Sequence, residues 1–218
     1  MIGVVTGMLS EARLVPGRSV LCSGGRPRRA RQLAERLLAE GADGLLSFGV
    51  AGGLVPELRP GCLLVGSGVV IGAARLAADA RWCRRLAEAL PRARLGMIYG
   101  GDVVAADATA KRALHQQWGA LAVDLESRAV AEACVAAGKP FAVLRAIADP
   151  AERGIPALAM AGLAADGATR PWAVTRGLLR RPQDLPGLIR LGLETRAALR
   201  ALGVGVGILG LGLGFDLP

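Results

Sequence analysis

Lysine is almost missing from this sequence: of its 27 basic residues only Lys111 and Lys139 are not arginine. Aromatic residues are scarce too, at 3% of the chain, so there is no set of rings on which bases could stack. A nucleic-acid binder usually mixes lysine with arginine and adds such platforms, so the net charge of +9 argues poorly for RNA or DNA as partner. An arginine-rich face toward an anionic membrane surface is the better use of that charge. Histidine occurs once, at His115, and Cys22, Cys62, Cys83 and Cys134 lie far apart without a CxxC pair. No metal site is expected from that inventory. The opening, Met1 to Leu14, lacks a basic leader and meets an acid at Glu11, so it reads as a first strand and not as a signal peptide. The expected location is therefore the cytoplasm, with reduced thiols.

What is abundant is apolar. Hydrophobic residues make up 52% of 218, and the mean hydropathy is +0.41, which excludes a disordered chain and allows one ordinary α/β domain spanning 1–218. The 31 glycines follow no three-residue period and no heptad persists, which excludes collagen-like and coiled-coil architectures. Short β-branched or leucine-rich runs alternate with helical patterns up to about residue 147, the signature of a largely parallel sheet covered on both faces. The pattern predicts strands near 2–6, 19–23, 43–49, 62–70, 94–99, 120–124 and 141–147, and helices near 27–40, 79–90, 108–118 and 126–138. Residues 170–218 form a tail of different character. Between Arg170 and Arg200 arginines far outnumber acids, and the following residues 201–215 carry no charge. That run is short of the roughly 20 apolar residues a transmembrane helix needs. Leu188, Leu191, Leu199 and Leu202 fall near one helical face, with Arg190, Arg196 and Arg200 elsewhere. Two readings stay open: an amphipathic helix at a membrane surface, or a helix packed on the domain.

In an open parallel sheet, ligands bind beyond the carboxyl ends of the strands. The turns found there are Thr6 to Glu11, Ser23-Gly24-Gly25, Phe48 to Gly53, and Arg145-Ala146-Ile147-Ala148-Asp149. Each is weak alone, and Gly24-Gly25 matches neither a dinucleotide fingerprint nor a P-loop. Taken in order with Val123-Asp124-Leu125-Glu126-Ser127-Arg128 and Gly49-Val50-Ala51-Gly52-Gly53-Leu54, over about 150 residues, the sequence resembles the purine nucleoside phosphorylase and methylthioadenosine/S-adenosylhomocysteine nucleosidase superfamily. The resemblance implies a three-layer α/β/α fold with a mixed, largely parallel central sheet, cleavage of an N-ribosidic bond to a purine, and a homo-oligomer. Asp149 matches the acid that protonates the leaving base, and an apolar setting after its strand would keep it protonated. Glu126 matches the carboxylate that grips the ribose hydroxyls, and Glu11 the one that orients the attacking water. Gly24, Gly25, Val50, Ala51, Gly52, Val104, Ala105, Leu125 and Arg145 fall where the family binds substrate.

The departures are informative. Ser or Thr usually precedes the catalytic Asp, where this chain has Ala148. Phosphorolytic relatives hold phosphate with an Arg and a Ser near the third-strand glycine turn, where this chain has Ser47 and Val50. Water is thus favoured over phosphate as acceptor, with inorganic phosphate kept as a possible co-substrate through Arg26, Arg28 and Arg29. No other cofactor is implied. Ser47 to Leu54, Gly100-Gly101-Asp102-Val103-Val104, Val123 to Arg128 and Arg181 to Arg190 resemble the hopanoid-associated phosphorylase group, which implies adenosylhopane as a lipid-linked adenine nucleoside met at the inner membrane face. A soluble methylthioadenosine or S-adenosylhomocysteine nucleosidase, and a silent purine-binding module, are the alternatives.

Overall fold

In the computed structural model, residues 1–17, 19–102, 104–105, 107–156, 158–159, 167–168, 176, 178 and 181–215 are described. In chain order they form β1 (Ile2–Thr6), the single turn α1 (Leu9–Ala12), β2 (Val20–Cys22), α2 (Pro27–Ala39), β3 (Gly44–Gly53), β4 (Leu63–Ile71), β5 (Ala74–Ala77), α3 (Ala80–Ala89), β6 (Arg94–Gly100), α4 (Ala108–Trp118), β7 (Ala122–Asp124), α5 (Ser127–Ala136), β8 (Phe141–Asp149), a 3-10 turn (Pro182–Asp184) and α6 (Leu185–Leu209).

Local chemistry explains most of the boundaries. Pro27 starts α2, where its fixed φ suits a first helical turn. Asp79 and Asp107 cap α3 and α4 by accepting from Trp82 N at 2.7 Å and Ala110 N at 2.8 Å. Gly119, at φ 68°, ends α4 in the left-handed conformation. The expected strands and helices are found. β5 and α1 were not expected: Ala74-Arg75-Leu76-Ala77 has little strand propensity and forms only because it folds back antiparallel onto β4.

The sheet is mixed and largely parallel, as expected. β1 pairs in parallel with β2 and β3, and β3 in parallel with β8. Every residue of β8 is buried, in keeping with its nearly unbroken apolar run. One part of the sheet is not open. β8 also pairs antiparallel with β4, β4 in parallel with β6, β6 in parallel with β7, and β7 antiparallel with the far end of β3. The circuit β3-β8-β4-β6-β7 therefore closes on itself. Register shifts at Ala51/Gly52 in β3 and Gly66/Gly68 in β4 supply the bends, as glycine-bearing bulges do where a sheet curls. Closure brings the end of β7 beside the ends of β3 and β8.

The tail divides into two faces. Ala198, Leu202, Gly205, Val206 and Leu209 of α6 are buried, and α6 packs on β8 and β3. Beyond it, Trp82 Nε1 donates to Leu213 O at 2.9 Å, and the Trp82 and Phe215 rings meet edge to face at 4.9 Å. The outer face exposes Leu185, Ile189, Leu193, Val204 and Ile208 together with Arg190, Arg196 and Arg200. Of the two readings left open, the stripe follows the packed one: Leu188, Leu191 and Leu199 are half-buried and Leu202 is buried, so it points inward and a different apolar row faces out. The arginines expected to matter before residue 181 lie outside the described residues, apart from Arg176. No helix among the described residues is long and apolar enough to cross a membrane.

Candidate active site

The four strand ends gather around one cavity of about 230 Å³, lined by residues that include Glu11, Asp124, Glu126 and Asp149. Three of these acids are the ones singled out from the sequence. They stand close because three glycines leave room. A Cβ on Gly7 would lie 2.8 Å from Glu126 Oε1, one on Gly52 2.9 Å from Asp149 Oδ2, and one on Gly49 2.6 Å from the Glu11 carboxyl. Gly49 also has φ 153°, a conformation other residues rarely adopt.

Glu11, in the short turn after β1, is 2% exposed. Its Oε2 accepts from the backbone N–H of Gly7 and Met8, each at 2.8 Å, and its Oε1 from Val50 N at 2.8 Å. Val50 therefore contributes its backbone, whatever its side chain. Burial pushes the Glu11 carboxyl above its ordinary range, against the lowering pull of Arg145 and of these three donors.

Glu126 follows β7 and begins α5. Its Oε1 accepts from Ser23 Oγ at 3.2 Å, and Arg145 Nη2 lies 3.5 Å from its Oε2. Burial raises its pKa to about 7. Arg145 opposes that rise, and the neighbouring charges of Asp124 and Glu11 add to it.

Arg145, in mid-β8, is fully buried. Its Nε lies 2.6 Å from Asp124 Oδ2, and its Nη2 donates to Ser47 Oγ at 2.6 Å and to Ser127 Oγ at 3.3 Å. Burial works to lower its pKa, but Asp124, Glu126 and Glu11 outweigh it and raise the value. Arg145 thus stands behind the acids and does not line the cavity. Nη1, beside Gly49 and Glu11, has no hydrogen-bond acceptor among the described residues.

Asp149 ends β8, beside Gly52 of β3. The apolar setting expected for it is corrected: Lys111 of α4, fully buried, places Nζ against Asp149 Oδ2 as a hydrogen-bonded ion pair. The same ammonium donates to Pro150 O at 2.8 Å and Arg153 O at 2.9 Å.

Of the other expected residues, Gly25, Val50, Ala51, Gly52, Val104, Ala105 and Leu125 line the cavity, and Gly24 does not. Arg28 lines a separate groove with Arg31, Asp102, Arg128 and Glu132. Sequence reasoning missed Lys111, and it missed Asp124 as the partner of Arg145. A signal for Lys111 existed, since it is one of two lysines in an arginine-rich chain. Among the described residues there is no cluster that could hold a metal ion.

The sequence matches the profile of the phosphorylase superfamily over residues 4–177. No curated protein sequence matches it. Among solved structures it is similar to a 5′-methylthioadenosine/S-adenosylhomocysteine nucleosidase from Helicobacter pylori, at 19% identity and a TM-score of 0.64, covering 94% of this chain and 97% of the other. It is also similar to the futalosine hydrolase of the same organism, at 18% identity and a TM-score of 0.66 with the same coverage. A structure from Francisella philomiragia, described as a putative nucleosidase of the first kind, has 19% identity and a TM-score of 0.67 over 95% of this chain and 97% of that one. At such identities the likeness is one of fold.

Proposed function

As a member of the phosphorylase superfamily this chain is an N-glycosyl-bond-cleaving enzyme, and we propose that it hydrolyses an adenine nucleoside by protonating the base at Asp149 while Glu126 and Glu11 serve the sugar and the water. The observation that carries this reading is the convergence of the three carboxylates on one cavity.

The chemistry follows from their surroundings. A purine leaves ribose poorly as an anion, so a proton must reach its imidazole nitrogen N7 as the C1′–N9 bond breaks and its electron pair moves to N9. Asp149 delivers that proton. The sugar carbon becomes cation-like, and Glu126, charged above its pKa of about 7, steadies it while accepting from the ribose hydroxyls. Glu11, held rigidly by three backbone donors, orients a water and takes its proton as oxygen bonds to C1′.

Water is favoured over phosphate by the lining itself. Four acids and no arginine or lysine are among the described residues around the cavity, which repels a phosphate dianion. Arg28, expected to substitute as an anion ligand, faces the neighbouring groove.

For the substrate we favour a lipid-linked adenine nucleoside, adenosylhopane, over a soluble thioether nucleoside. The apolar outer face of α6 with its exposed arginines supports it, since such a surface suits an anionic bilayer. The test is adenine release from adenosylhopane in detergent and from methylthioadenosine, with and without phosphate. Phosphate-independent release from the lipid substrate is expected. Rates far higher on methylthioadenosine would sink the lipid assignment, a strict need for phosphate would sink hydrolysis, and no adenine from either would sink the enzyme reading.

A further inference from the structure

We infer that Lys111 is a positioning residue for Asp149, the ammonium orienting the acid and steadying the carboxylate it becomes, and never touching substrate. The inference rests on the proposed role of Asp149 and adds a group to it.

Three observations carry it. Lys111 is fully buried, and its only charged partner among the described residues is Asp149. Lysine is among the residues least often buried completely, because taking an ammonium out of water is costly even when it is paired. Lys111 is also the fourth residue of α4, in the half of the helix where a cation opposes the macrodipole, so helix stability gives no reason for it. Finally, the residue before the acid is Ala148, which has no hydroxyl to orient Asp149, and Lys111 is the donor its side chain receives.

The hydrogen bonds define what Lys111 does. One N–H holds Asp149 Oδ2, and the others hold Pro150 O and Arg153 O. The acid and the turn after it are thereby fixed to α4. With Oδ2 engaged, Oδ1 is left to meet the base. With substrate bound, Asp149 carries its proton on Oδ1; as the C1′–N9 bond breaks that proton passes to N7, and the carboxylate left behind is held by the Lys111 ammonium. Lys111 stays charged, Asp149 ends as a carboxylate, Glu11 is protonated by the water, and adenine leaves neutral. After product release Glu11 loses its proton to solvent and Asp149 takes one up, which restores the starting state.

The experiment compares two leaving groups. Lys111→Met keeps an unbranched side chain one heavy atom shorter and removes the charge and its three donors. Adenine release should fall about 10²-fold in kcat, with KM changed far less. Release of p-nitrophenolate from p-nitrophenyl β-D-ribofuranoside, a leaving group stable as an anion, should fall much less. Equal losses on both substrates, or no loss on adenine, would overturn the inference. If the wild type releases adenine from no nucleoside, it is the proposed function that fails, and not this refinement. Should Lys111→Met not fold, the double variant Lys111→Met/Asp149→Asn removes both members of the buried pair and avoids an orphaned charge. Its adenine release should equal that of Asp149→Asn alone, and a further multiplicative loss would count against Lys111 acting through the acid.

Discussion

The two charge clusters around the cavity use positive charge differently. At what we propose as the sugar end one guanidinium, Arg145, faces three carboxylates, those of Asp124, Glu126 and Glu11. At what we propose as the base end one ammonium, Lys111, faces one carboxylate, Asp149. The first end carries surplus negative charge, which suits a site that must steady a cation but keep it reactive. The second is balanced, which suits a site that must give up a proton and recover it. The same contrast explains why Glu126 rises to about 7, since a lone arginine cannot compensate burial and two neighbouring acids.

The sharpest way to break that contrast is to remove the acid at the balanced end. Asp149→Asn should lower adenine release roughly 10²–10⁴-fold, measured as kcat in a steady-state assay, and should leave Lys111 without its partner. A protein that retains full turnover would contradict the assignment of the two ends. At the opposite end Glu11→Gln should lower hydrolysis about 10²-fold. Phosphate added to this variant restores nothing if water is the acceptor, and rescue would reverse that conclusion.

The smallest effect concerns pH. Glu126 is raised above its unfolded value, so the folded state holds extra protons between the ordinary value of 4.5 and about 7. Its contribution to stability is fully present below the unfolded pKa and is lost as pH rises through about 7, with a slope of at most about 1.4 kcal/mol per pH unit. Urea midpoints from pH 4 to pH 8 should show that decline, and Glu126→Gln should flatten it. In the same range kcat/KM should rise as Glu126 ionises. A wild-type profile flat between pH 5 and pH 8 would show that the surplus charge at the sugar end is not held by Glu126.

Residues next to one another in the chain were legible; charge partners across the fold were not. Phe141 to Asp149 announces a buried strand ending in an acid, whereas Gly49 to Gly53, which reads as a turn, continues β3 with a bulge at Ala51/Gly52 and is glycine-rich because something packs closely on it. The identity of that something, Glu11 for Gly49 and Asp149 for Gly52, needs the closed circuit of strands. Lys111 lies 38 residues before Asp149, in a helix whose local pattern Ala108-Thr109-Ala110-Lys111-Arg112 places a charge on an ordinary solvated face. Only the packing of α4 turns that charge inward. The role of the α6 stripe stayed open for a related reason: both faces of the helix are apolar, so periodicity alone cannot say which one the domain covers.

The glycines that admit the acids have a consequence for how this protein can change over time. A single added methyl at Gly7, Gly49 or Gly52 would evict one carboxyl while every acid remained in the sequence. Loss of the chemistry would then be invisible to anyone checking only for Glu11, Glu126 and Asp149. A descendant that had traded cleavage for mere purine capture would be betrayed by an alanine where hydrogen now stands.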